Sequence, residues 1–478
     1  MTTGWMSGSV SLRTYDSGWM RVSAVLFMVA GLGAVLLATP ATAQAQGEAV
    51  IYAFQGPTTD GENNTTGLVA GSGGVLYGTT TYGGSGNCSG FGYSSPIGCG
   101  IVYELTPPAT SGGAWTETVI YSFTGAVDGA FPNTLTASKS GILYGTTFGG
   151  GPRQSAGSGH GVVFKLTPPT TSGGAWKETV MYSFCKETNC ADGQNPNDGP
   201  ILVGADLYGT TGYGGSSGFG TVYQLTTAAK PVFTSLYSFK GGSTDGANPY
   251  YGLIANKSGT LYGETNTGGG TGCGGVGCGI VYELTPPATA GNPYTETVLY
   301  TFPGGANGQN LSGRLTLSGS DLYGVAGGGS FNYGLVYKLA PPATGTVWTE
   351  TVLTSFDPGN LYGVAGGTFP NGNLVVGANG SIYGTTYGGG DPNLSFGYYF
   401  PGTIFELTPP IATGGAWVQS LLYTFQGGSD GLTPEWGLIT GPDGTLYGTT
   451  SVGGGSGCPA QAYNGMNVGC GTVFQFTP

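Results

Sequence analysis

Short apolar runs separated by glycine-rich segments recur along most of the chain. One run has a Leu/Ile-Tyr-Gly core, as at residues 446–450 (LYGTT), a second is like residues 161–169 (GVVFKLTPP), and a third is like residues 176–184 (WKETVMYSF). Each run is rich in β-branched and aromatic residues and is bounded by Gly, Pro, Asn or Asp, which is typical of β-strands. With a shorter run such as residues 252–255 placed first, the pattern predicts four strands per unit, which we call A, B, C and D.

The unit recurs seven times. The tyrosine of the Leu/Ile-Tyr-Gly core marks each copy, at Tyr77, Tyr144, Tyr208, Tyr262, Tyr323, Tyr383 and Tyr447. Successive copies lie 54 to 67 residues apart, so the copies fill nearly all of the chain after its first 43 residues. Four short strands per unit and seven units predict an all-β fold, a seven-bladed β-propeller with four-stranded blades.

The two ends of the repeat region indicate how such a ring closes. Residues 49–54 (AVIYAF) read as a strand D without a preceding A, B or C, and residues 471–477 read as a strand C without a following D. We predict that the N-terminal strand completes the last blade, so that blade seven consists of residues 49–54 and 436–477. Closure of this kind hides a sheet edge that would otherwise be exposed. One propeller domain should then span residues 44–478.

The first residues have the layout of a secretory signal peptide. The apolar run at residues 22–38 follows two arginines and ends at small residues, which predicts a signal peptide over residues 1–43 with cleavage after Ala43 or Ala45. A membrane anchor is the alternative, since the run approaches the lower length limit for a spanning helix. Translation from Met20 would leave a more compact signal. We expect a secreted or periplasmic protein that is not bound to a membrane after cleavage.

The eight cysteines form four local pairs in the sequence. We predict four short-range disulfides, which suit an exported protein. Zinc binding by thiolates is the alternative, because two of the pairs loosely resemble zinc-knuckle spacing, but we predict no metal. The pairs are Cys88/Cys99, Cys185/Cys190, Cys273/Cys278 and Cys458/Cys470.

Composition excludes several classes of function. Glycine accounts for 98 of 478 residues, which disfavours an all-helical fold. The 12 Lys and Arg residues are outnumbered by 24 Asp and Glu residues, so a basic nucleic-acid-binding surface is excluded. A single histidine excludes a multi-histidine metal centre, and no phosphate-binding loop is present. We predict no cofactor and no nucleic-acid partner, and we expect a monomer.

The repeat unit resembles a known bacterial family. Residues 446–450 (LYGTT), 220–226 (GTVYQLT) and 236–239 (LYSF) are similar to the GloVer tandem repeat, and the resemblance covers roughly residues 48–478. It implies an exported protein of propeller-like repeats, and it supplies no catalytic residues. The Gly-Gly after strand B and the tryptophan before strand D are also loosely similar to kelch blades.

Antiparallel strands place the D-to-A and B-to-C loops on one side of the predicted ring, which we call the D–A/B–C face. This face collects an Asp-Gly in most units. Turn chemistry explains the repetition, because Asp-Gly suits tight turns, and a ring of carboxylates binding cations or sugar hydroxyls is the alternative. The aspartates are Asp60, Asp128, Asp192, Asp245 and Asp430, with Asn307 and Asp357 at approximate equivalents in blades five and six.

Residues that break the repeat are better candidates for function than residues that obey it. Glu264 replaces the usual threonine after Leu-Tyr-Gly, and blade six has long insertions on the D–A/B–C face at residues 357–371 and 391–401. Arg153, His160 and Arg314 are single departures. Aromatic side chains on loops suit binding, since loops diversify on a rigid scaffold. We predict a ligand site on this face, off the ring axis and near blades six, seven and one. The candidate ligand-binding residues are Phe396, Tyr398, Tyr399, Trp436, Tyr250 and Tyr251.

These observations predict a secreted, non-enzymatic binding or surface-scaffold propeller with carbohydrate as the expected ligand. Its partner would be an extracellular polysaccharide or a cell-envelope component. The sequence leaves a second function open, a carbohydrate-active hydrolase or lyase that uses carboxylates on the D–A/B–C face, with Glu264 and Glu435 as catalytic candidates. A serine hydrolase is not expected, because the Gly-x-Ser-x-Gly match at residues 214–218 lies in a predicted loop rather than a strand-to-helix elbow.

Overall fold

The apolar runs of the repeat form β-strands. The first of these, β1, spans Gly47–Ala53. The computed structural model describes residues 47–56, 60–64, 66–88, 97–110, 112–152, 159–171, 173–289, 293–345, 347–357, 367–390, 401–412, 414–454, 458 and 469–478. The predicted signal peptide lies outside the described residues.

Seven groups of antiparallel strands follow the order of the repeats, and we number them sheets 1 to 7. Sheet 1 contains β2 (Val69–Ala70), β3 (Leu76–Thr80), β4 (Ile101–Thr106) and β5 (Thr116–Ser122). Sheet 2 contains β6 (Ala130–Ala137), β7 (Leu143–Gly149), β8 (Val162–Thr167) and β9 (Lys177–Ser183). Sheet 3 contains β10 (Ile201–Val203), β11 (Asp206–Thr211), β12 (Thr221–Thr226) and β13 (Phe233–Ser238).

The remaining sheets vary this plan. Strand β14 (Gly246–Ala247) pairs with β17 (Thr267–Gly268) beside sheet 4, which contains β15 (Ile254–Ala255), β16 (Leu261–Glu264), β18 (Ile280–Thr285) and β19 (Thr295–Thr301). Sheet 5 contains β20 (Gln309–Leu311), β21 (Thr316–Ser318), β22 (Asp321–Gly327), β23 (Leu335–Ala340) and β24 (Thr349–Ser355). Sheet 6 contains β25 (Thr368–Val376), β26 (Ile382–Gly388), β27 (Thr403–Thr408) and β28 (Val418–Thr424). Sheet 7 contains β29 (Leu432–Thr440), β30 (Leu446–Val452), β31 (Thr472–Thr477) and the N-terminal strand β1.

The two ends of the chain meet in sheet 7. Strand β1 pairs antiparallel with β31, and Val50 lies opposite Phe474 in the register. Sheets 6 and 7 are joined by one parallel bridge between Asn373 and Gly437. The protein is therefore all-β, and its described helices are 3-10 turns of three residues each, at Ser72–Gly74, Thr188–Cys190, Cys273–Gly275 and Gly305–Asn307.

The glycine of Leu-Tyr-Gly is required by packing inside each sheet. In sheet 3, a Cβ built on Gly209 would lie 2.4 Å from the Tyr223 hydroxyl oxygen of the neighbouring strand C. The same close approach of a strand-C ring recurs in all seven sheets. Any larger residue would overpack a fully buried aromatic side chain. The glycines are Gly78, Gly145, Gly209, Gly263, Gly324, Gly384 and Gly448.

One aromatic contact recurs between each sheet and the next. A strand-D phenylalanine of one sheet contacts the strand-C ring of the following sheet edge to face, with ring centroids 4.9–5.2 Å apart, a preferred aromatic geometry. The contact also links sheet 7 to sheet 1, through Phe54 and Tyr103 at 5.1 Å. The other pairs are Phe123–Phe164, Phe184–Tyr223, Phe239–Tyr282, Phe302–Tyr337, Phe356–Phe405 and Phe425–Phe474.

Candidate functional site

The Asp-Gly turns of the D–A/B–C face hold each strand D to its following loop. In sheet 3, the Tyr237 hydroxyl donates to Asp245 at 3.0 Å, and the Lys240 backbone N–H donates to the same oxygen at 2.7 Å. Five turns share this arrangement. Because the carboxylates accept hydrogen bonds from their own turns, turn chemistry accounts for the repetition better than a ring of ligand-binding acids does. The tyrosine–aspartate pairs are Tyr52–Asp60, Tyr121–Asp128, Tyr182–Asp192, Tyr237–Asp245 and Tyr423–Asp430.

All four predicted disulfides are confirmed. The bonds join Cys88 to Cys99, Cys185 to Cys190, Cys273 to Cys278, and Cys458 to Cys470. Each lies in a D–A or B–C loop, and four disulfides fit an extracellular protein. None of the helices in the described part of the chain is long and apolar enough to cross a membrane.

A group of repeat-breaking residues from four sheets meets where the chain enters strand A. We call this group the inner cluster. It contains Asp198 of sheet 3, Tyr251 and Glu264 of sheet 4, Arg314 of sheet 5, and Glu435 and Trp436 of sheet 7. Four of these six residues were predicted site residues, and the structure brings them together.

Arg314 and Asp198 form a two-pronged ion pair between sheets 5 and 3. The Arg314 Nη2 atom lies 2.8 Å from Asp198 Oδ1, and Nε donates to Oδ2 at 3.1 Å. Arg314 also donates to the Gly199 carbonyl at 3.1 Å, and the Gly252 backbone N–H donates to Asp198 at 2.8 Å. The arginine side chain is 15% exposed and the aspartate 2%. A buried pair with these additional hydrogen bonds is well satisfied and links three sheets.

Glu264 bridges sheets 4 and 5. Its Oε1 accepts from the Gly313 backbone N–H at 3.3 Å, and its Oε2 accepts from the Tyr337 hydroxyl at 3.0 Å. In sheets 1, 2, 3 and 7 the equivalent threonine instead donates to a backbone carbonyl at the strand-A entrance of the next sheet, as Thr146 does to Asp198 at 2.9 Å. Glu264 is 1% exposed, and burial raises its pKa to about 8 despite the two hydrogen bonds. Both oxygens face protein donors, which favours a structural role over the predicted catalytic one.

Tyr251, Glu435 and Trp436 form the aromatic side of the inner cluster. The rings of Tyr251 and Trp436 are 6.1 Å apart and tilted, although they come from sheets 4 and 7. Burial raises the pKa of Tyr251, and the negative charges of Glu264, Asp198 and Glu435 raise it further. Burial also raises the pKa of Glu435 to about 7, which a hydrogen bond from Ser451 partly offsets.

Four aromatic side chains on the D–A/B–C face are exposed, and we call them the exposed aromatic group. Three of them lie in B–C loops of sheets 3 and 5, and the fourth lies where the chain enters sheet 6. Their exposed fractions are 37% for Tyr213, 41% for Phe219, 48% for Phe331 and 47% for Phe369. No other phenylalanine, tyrosine or tryptophan among the described residues is as exposed.

The predicted site residue Tyr250 belongs beside this group. Its hydroxyl lies 2.7 Å from that of Tyr213, and the two rings are 5.7 Å apart. Phe396, Tyr398 and Tyr399 lie outside the described residues. The four exposed rings were not among the predicted site residues, although their positions within glycine-rich loops were a signal that could have indicated them.

Glu62 is a further residue that was not predicted from the sequence. It is fully buried at the entrance to sheet 1, and neither carboxyl oxygen has a hydrogen-bond partner among the described residues. Burial raises its pKa to about 7. The equivalent positions in the other repeats carry Ala, Gln, Thr or Leu, so Glu62 also breaks the repeat.

A cavity of about 750 Å³ lies between the inner strands of sheets 3 to 7. Its lining is mostly aliphatic and includes Ile201, Ile254 and Leu317, with Arg314 among the few charged groups. Residues of the A–B turns, such as Gly204 and Lys257, also line it. It therefore extends toward the side of the molecule opposite the exposed aromatic group.

The sheets and their shared contacts define an all-β tandem-repeat protein. Residues 91–289 and 271–461 match the profile of the Gloeobacter/Verrucomicrobia repeat, and the chain belongs to this family. No curated protein matches the sequence.

Solved structures of low sequence identity resemble the fold. A chain of the mitotic checkpoint complex is 11% identical, with a TM-score of 0.46 over 96% of this chain and 99% of its own. NanB sialidase from Streptococcus pneumoniae is 9% identical, with a TM-score of 0.41 over 90% of this chain and 70% of its own. A family AA12 carbohydrate-active enzyme from Trichoderma reesei is 14% identical, with a TM-score of 0.39 over 90% and 97%. Likeness at this level assigns no function to the chain.

Proposed function

We propose that the chain is an exported, closed seven-bladed β-propeller that binds carbohydrate without catalysing a reaction. The observation that carries the proposal is the exposed aromatic group, whose four rings all lie on the D–A/B–C face. Its partner would be an extracellular polysaccharide or a cell-envelope component, bound by a monomer.

Ring closure is supported by contacts that link the last sheet to the first. The Phe54–Tyr103 pair repeats the contact found at the six other junctions. Thr449 of sheet 7 donates to the Thr66 carbonyl at 3.2 Å, and the Trp115 ring of sheet 1 lies 6.1 Å from Tyr447. A closed ring gives the loops a rigid base, and loops on such a base commonly carry binding residues.

Because the protein is acidic and exposes aromatic rings, carbohydrate is favoured over other classes of ligand. Ring faces provide apolar contact area at a small cost in side-chain entropy and can cover the C–H face of a sugar. The hydroxyls of Tyr213 and Tyr250 are paired at the surface and can exchange hydrogen bonds with sugar hydroxyls. The formal charge of −12 disfavours polyanionic ligands, so neutral polysaccharides are the expected class.

A carbohydrate-active hydrolase or lyase is the second candidate, and one observation favours it. Glu264 and Glu435 both act electrostatically on the Tyr251 phenol, and burial raises the pKa values of the two carboxyls to about 8 and about 7. Raised carboxyl pKa values suit a general acid. The hydrogen bonds that occupy both Glu264 oxygens are the reason that binding stays the first candidate.

The test is a glycan array of plant and bacterial polysaccharides, followed by titration of the best ligand. Replacing Tyr213 and Phe219 together by alanine should weaken binding at least tenfold, which is about 1.4 kcal/mol. Ile411→Ala, at an exposed position on a C–D loop, is the matched control and should bind as the parent does.

Two outcomes would redirect the proposal. Full affinity in a folded Tyr213→Ala/Phe219→Ala variant would exclude these rings from the site. Product release from a polysaccharide, lost in Glu435→Gln while binding persists, would establish the enzyme instead.

A further inference from the structure

The single histidine of the chain lies beside a disulfide. A ring nitrogen of His160 and the Sγ atoms of Cys185 and Cys190 all lie within 4.8 Å of one another. His160 stands just before strand β8 of sheet 2, whereas the cysteines lie in the loop that follows β9. The topology thus brings three residues of metal-binding types, one histidine and two cysteines, together from two loops.

We propose that reduction of the Cys185–Cys190 disulfide creates a three-ligand site for a soft divalent metal, with zinc(II) as the expected ion. An external reductant supplies two electrons. A phosphine, for example, breaks the S–S bond and takes up a water oxygen, leaving two thiols and a phosphine oxide. The metal then displaces the two thiol protons. Two thiolates and one imidazole are zinc ligands, and water would fill the fourth position.

The geometry suits a tetrahedral ion. Zn–S bonds of about 2.3 Å and Zn–N bonds of about 2.0 Å place ligand atoms about 3.4–3.8 Å apart. The three donor atoms already lie within 4.8 Å, so shifts of about 1 Å bring them into range once the S–S bond is broken. Four residues separate the cysteines, the upper limit of common zinc-knuckle spacing.

The ligand backbones are held independently of the disulfide. The Cys185 N–H donates to the Gly193 carbonyl at 3.0 Å, and the Gly193 N–H donates to the Cys190 carbonyl at 2.8 Å. The Asn195 N–H donates to the His160 carbonyl at 2.8 Å. These bonds do not involve sulfur, so the three residues stay adjacent after reduction.

The disulfide is also the most accessible of the four. Cys185 and Cys190 are both half-buried. Cys185 and His160 also line a cavity of about 530 Å³. Every other disulfide has at least one fully buried cysteine, and exposed disulfides are the more readily reduced. The fully buried cysteines are Cys88, Cys99, Cys278, Cys458 and Cys470.

The Cys273–Cys278 loop is a matched control within the same chain. Its cysteines have the same sequence separation of five as Cys185 and Cys190. The only histidine of the chain is grouped with the other pair. The two loops therefore differ in the imidazole that the proposal requires.

The experiment uses the full exported chain, treated with a phosphine under native conditions, freed of reductant without oxygen and titrated with Co²⁺ as a spectroscopic substitute for zinc. One Co²⁺ per chain should bind with thiolate-to-metal absorption. Alkylation and peptide mapping should find Cys185 and Cys190 reduced first. His160→Ala, which keeps both cysteines, should weaken binding by more than the roughly 10- to 100-fold cost of losing an outer-shell partner. Cys273→Ser/Cys278→Ser should leave binding unchanged.

Three results would overturn the proposal. The first is equal Co²⁺ affinity in His160→Ala and the parent. The second is equal binding by the oxidised chain, which would assign the metal to carboxylates. The third is the absence of thiolate-to-metal absorption, whether or not Cys185 and Cys190 become alkylated, since both reduction and binding are parts of the proposal.

Discussion

Strands C and D repeat one contact in every sheet, whereas the segments that lead into strand A differ from sheet to sheet. The strand-D phenylalanine and strand-C ring meet at seven junctions with nearly one geometry. At the strand-A entrances, Asp198 pairs with Arg314, while Tyr251 contacts Trp436. Repetition here marks packing between sheets, and variation marks contacts that occur only once in the molecule.

The same contrast separates two kinds of acid. Glutamates of strand D recur in most repeats and lie near the Asp-Gly turn of the preceding sheet, as Glu117 does near Asp60. Glu62, Glu264 and Glu435 occur once each. Burial raises the pKa values of both kinds of acid. Only for the second kind do the neighbouring residues depend on which side chains meet at the inner strands.

The largest expected effect concerns pH, because at least seven carboxyls contribute to it. Burial raises their pKa values above the ordinary value of 4.5, so the folded state holds protons that the unfolded state has released. This stabilisation is complete below about pH 4.5 and is lost as pH rises toward 7 to 8. We expect Tm to fall by more than about 5 °C between pH 5 and pH 8 in calorimetry. The groups are Glu48, Glu62, Glu117, Glu178, Glu296 and Glu435, at about 7, and Glu264, at about 8.

Substitutions can show how much of the fall in Tm between pH 5 and pH 8 comes from each of the two kinds of acid. Replacing Glu117, Glu178 and Glu296 together by glutamine should flatten the fall in Tm mainly below pH 7. Glu264→Gln should flatten it over the whole interval from about pH 4.5 to pH 8, including the part above pH 7 where the strand-D glutamates no longer contribute. Glu187→Gln, at an exposed position, is the control. A Tm that rises from pH 5 to pH 8 in the parent would contradict the assignment of protonated glutamates.

The second prediction tests whether the junction between sheets 7 and 1 contributes as much to stability as a junction between two sheets that are consecutive in the chain. Phe54→Ala and Phe239→Ala should each cost about 3–5 kcal/mol in the free energy of unfolding, since each removes a fully buried ring. The two rings have partners at the same distance of 5.1 Å. Denaturant titration measures both. A loss at Phe239 with almost none at Phe54 would indicate an open array rather than a ring.

Much of the fold could be predicted because the same residue pattern recurs in each repeat. Runs rich in β-branched and aromatic residues, bounded by turn residues, predicted the strands, and the structure adds that the glycine of Leu-Tyr-Gly is covered by a strand-C ring. The partial units at the two ends implied the pairing of β1 with β31, and Val50 lies opposite Phe474. Local cysteine spacing likewise indicated the four disulfides.

Less of the candidate site could be predicted from the sequence. Strand-A entrances carry bulges of different lengths, between Pro132 and Leu135 in sheet 2 but between Pro434 and Leu438 in sheet 7. A bulge redirects the following side chains, so repeat spacing does not tell which ones meet. Sequence analysis therefore named Tyr251 and Trp436 separately and could not foresee their contact. Arg314 was noted as a departure, but its partner lies 116 residues away.

The smallest expected effect concerns that ion pair, and it tests whether variation at the inner strands is independent of the repeated packing. Arg314→Met would leave the Asp198 carboxylate buried without its cation, at a cost of about 3 kcal/mol in stability. The loss should be at the lower end of the range for buried pairs, because the Gly252 and Gly199 N–H groups still donate to Asp198. Adding Asp198→Ala should recover part of it, and the double-mutant cycle measures the coupling. Binding of the selected glycan should persist in Arg314→Met, since the hydrogen bonds and the ion pair that Arg314 forms with described residues go to Asp198 and Gly199 and not to the exposed aromatic group. Additive losses in the cycle would show that the pair contributes no mutual stabilisation, so that the link between sheets 3 and 5 depends on their other contacts.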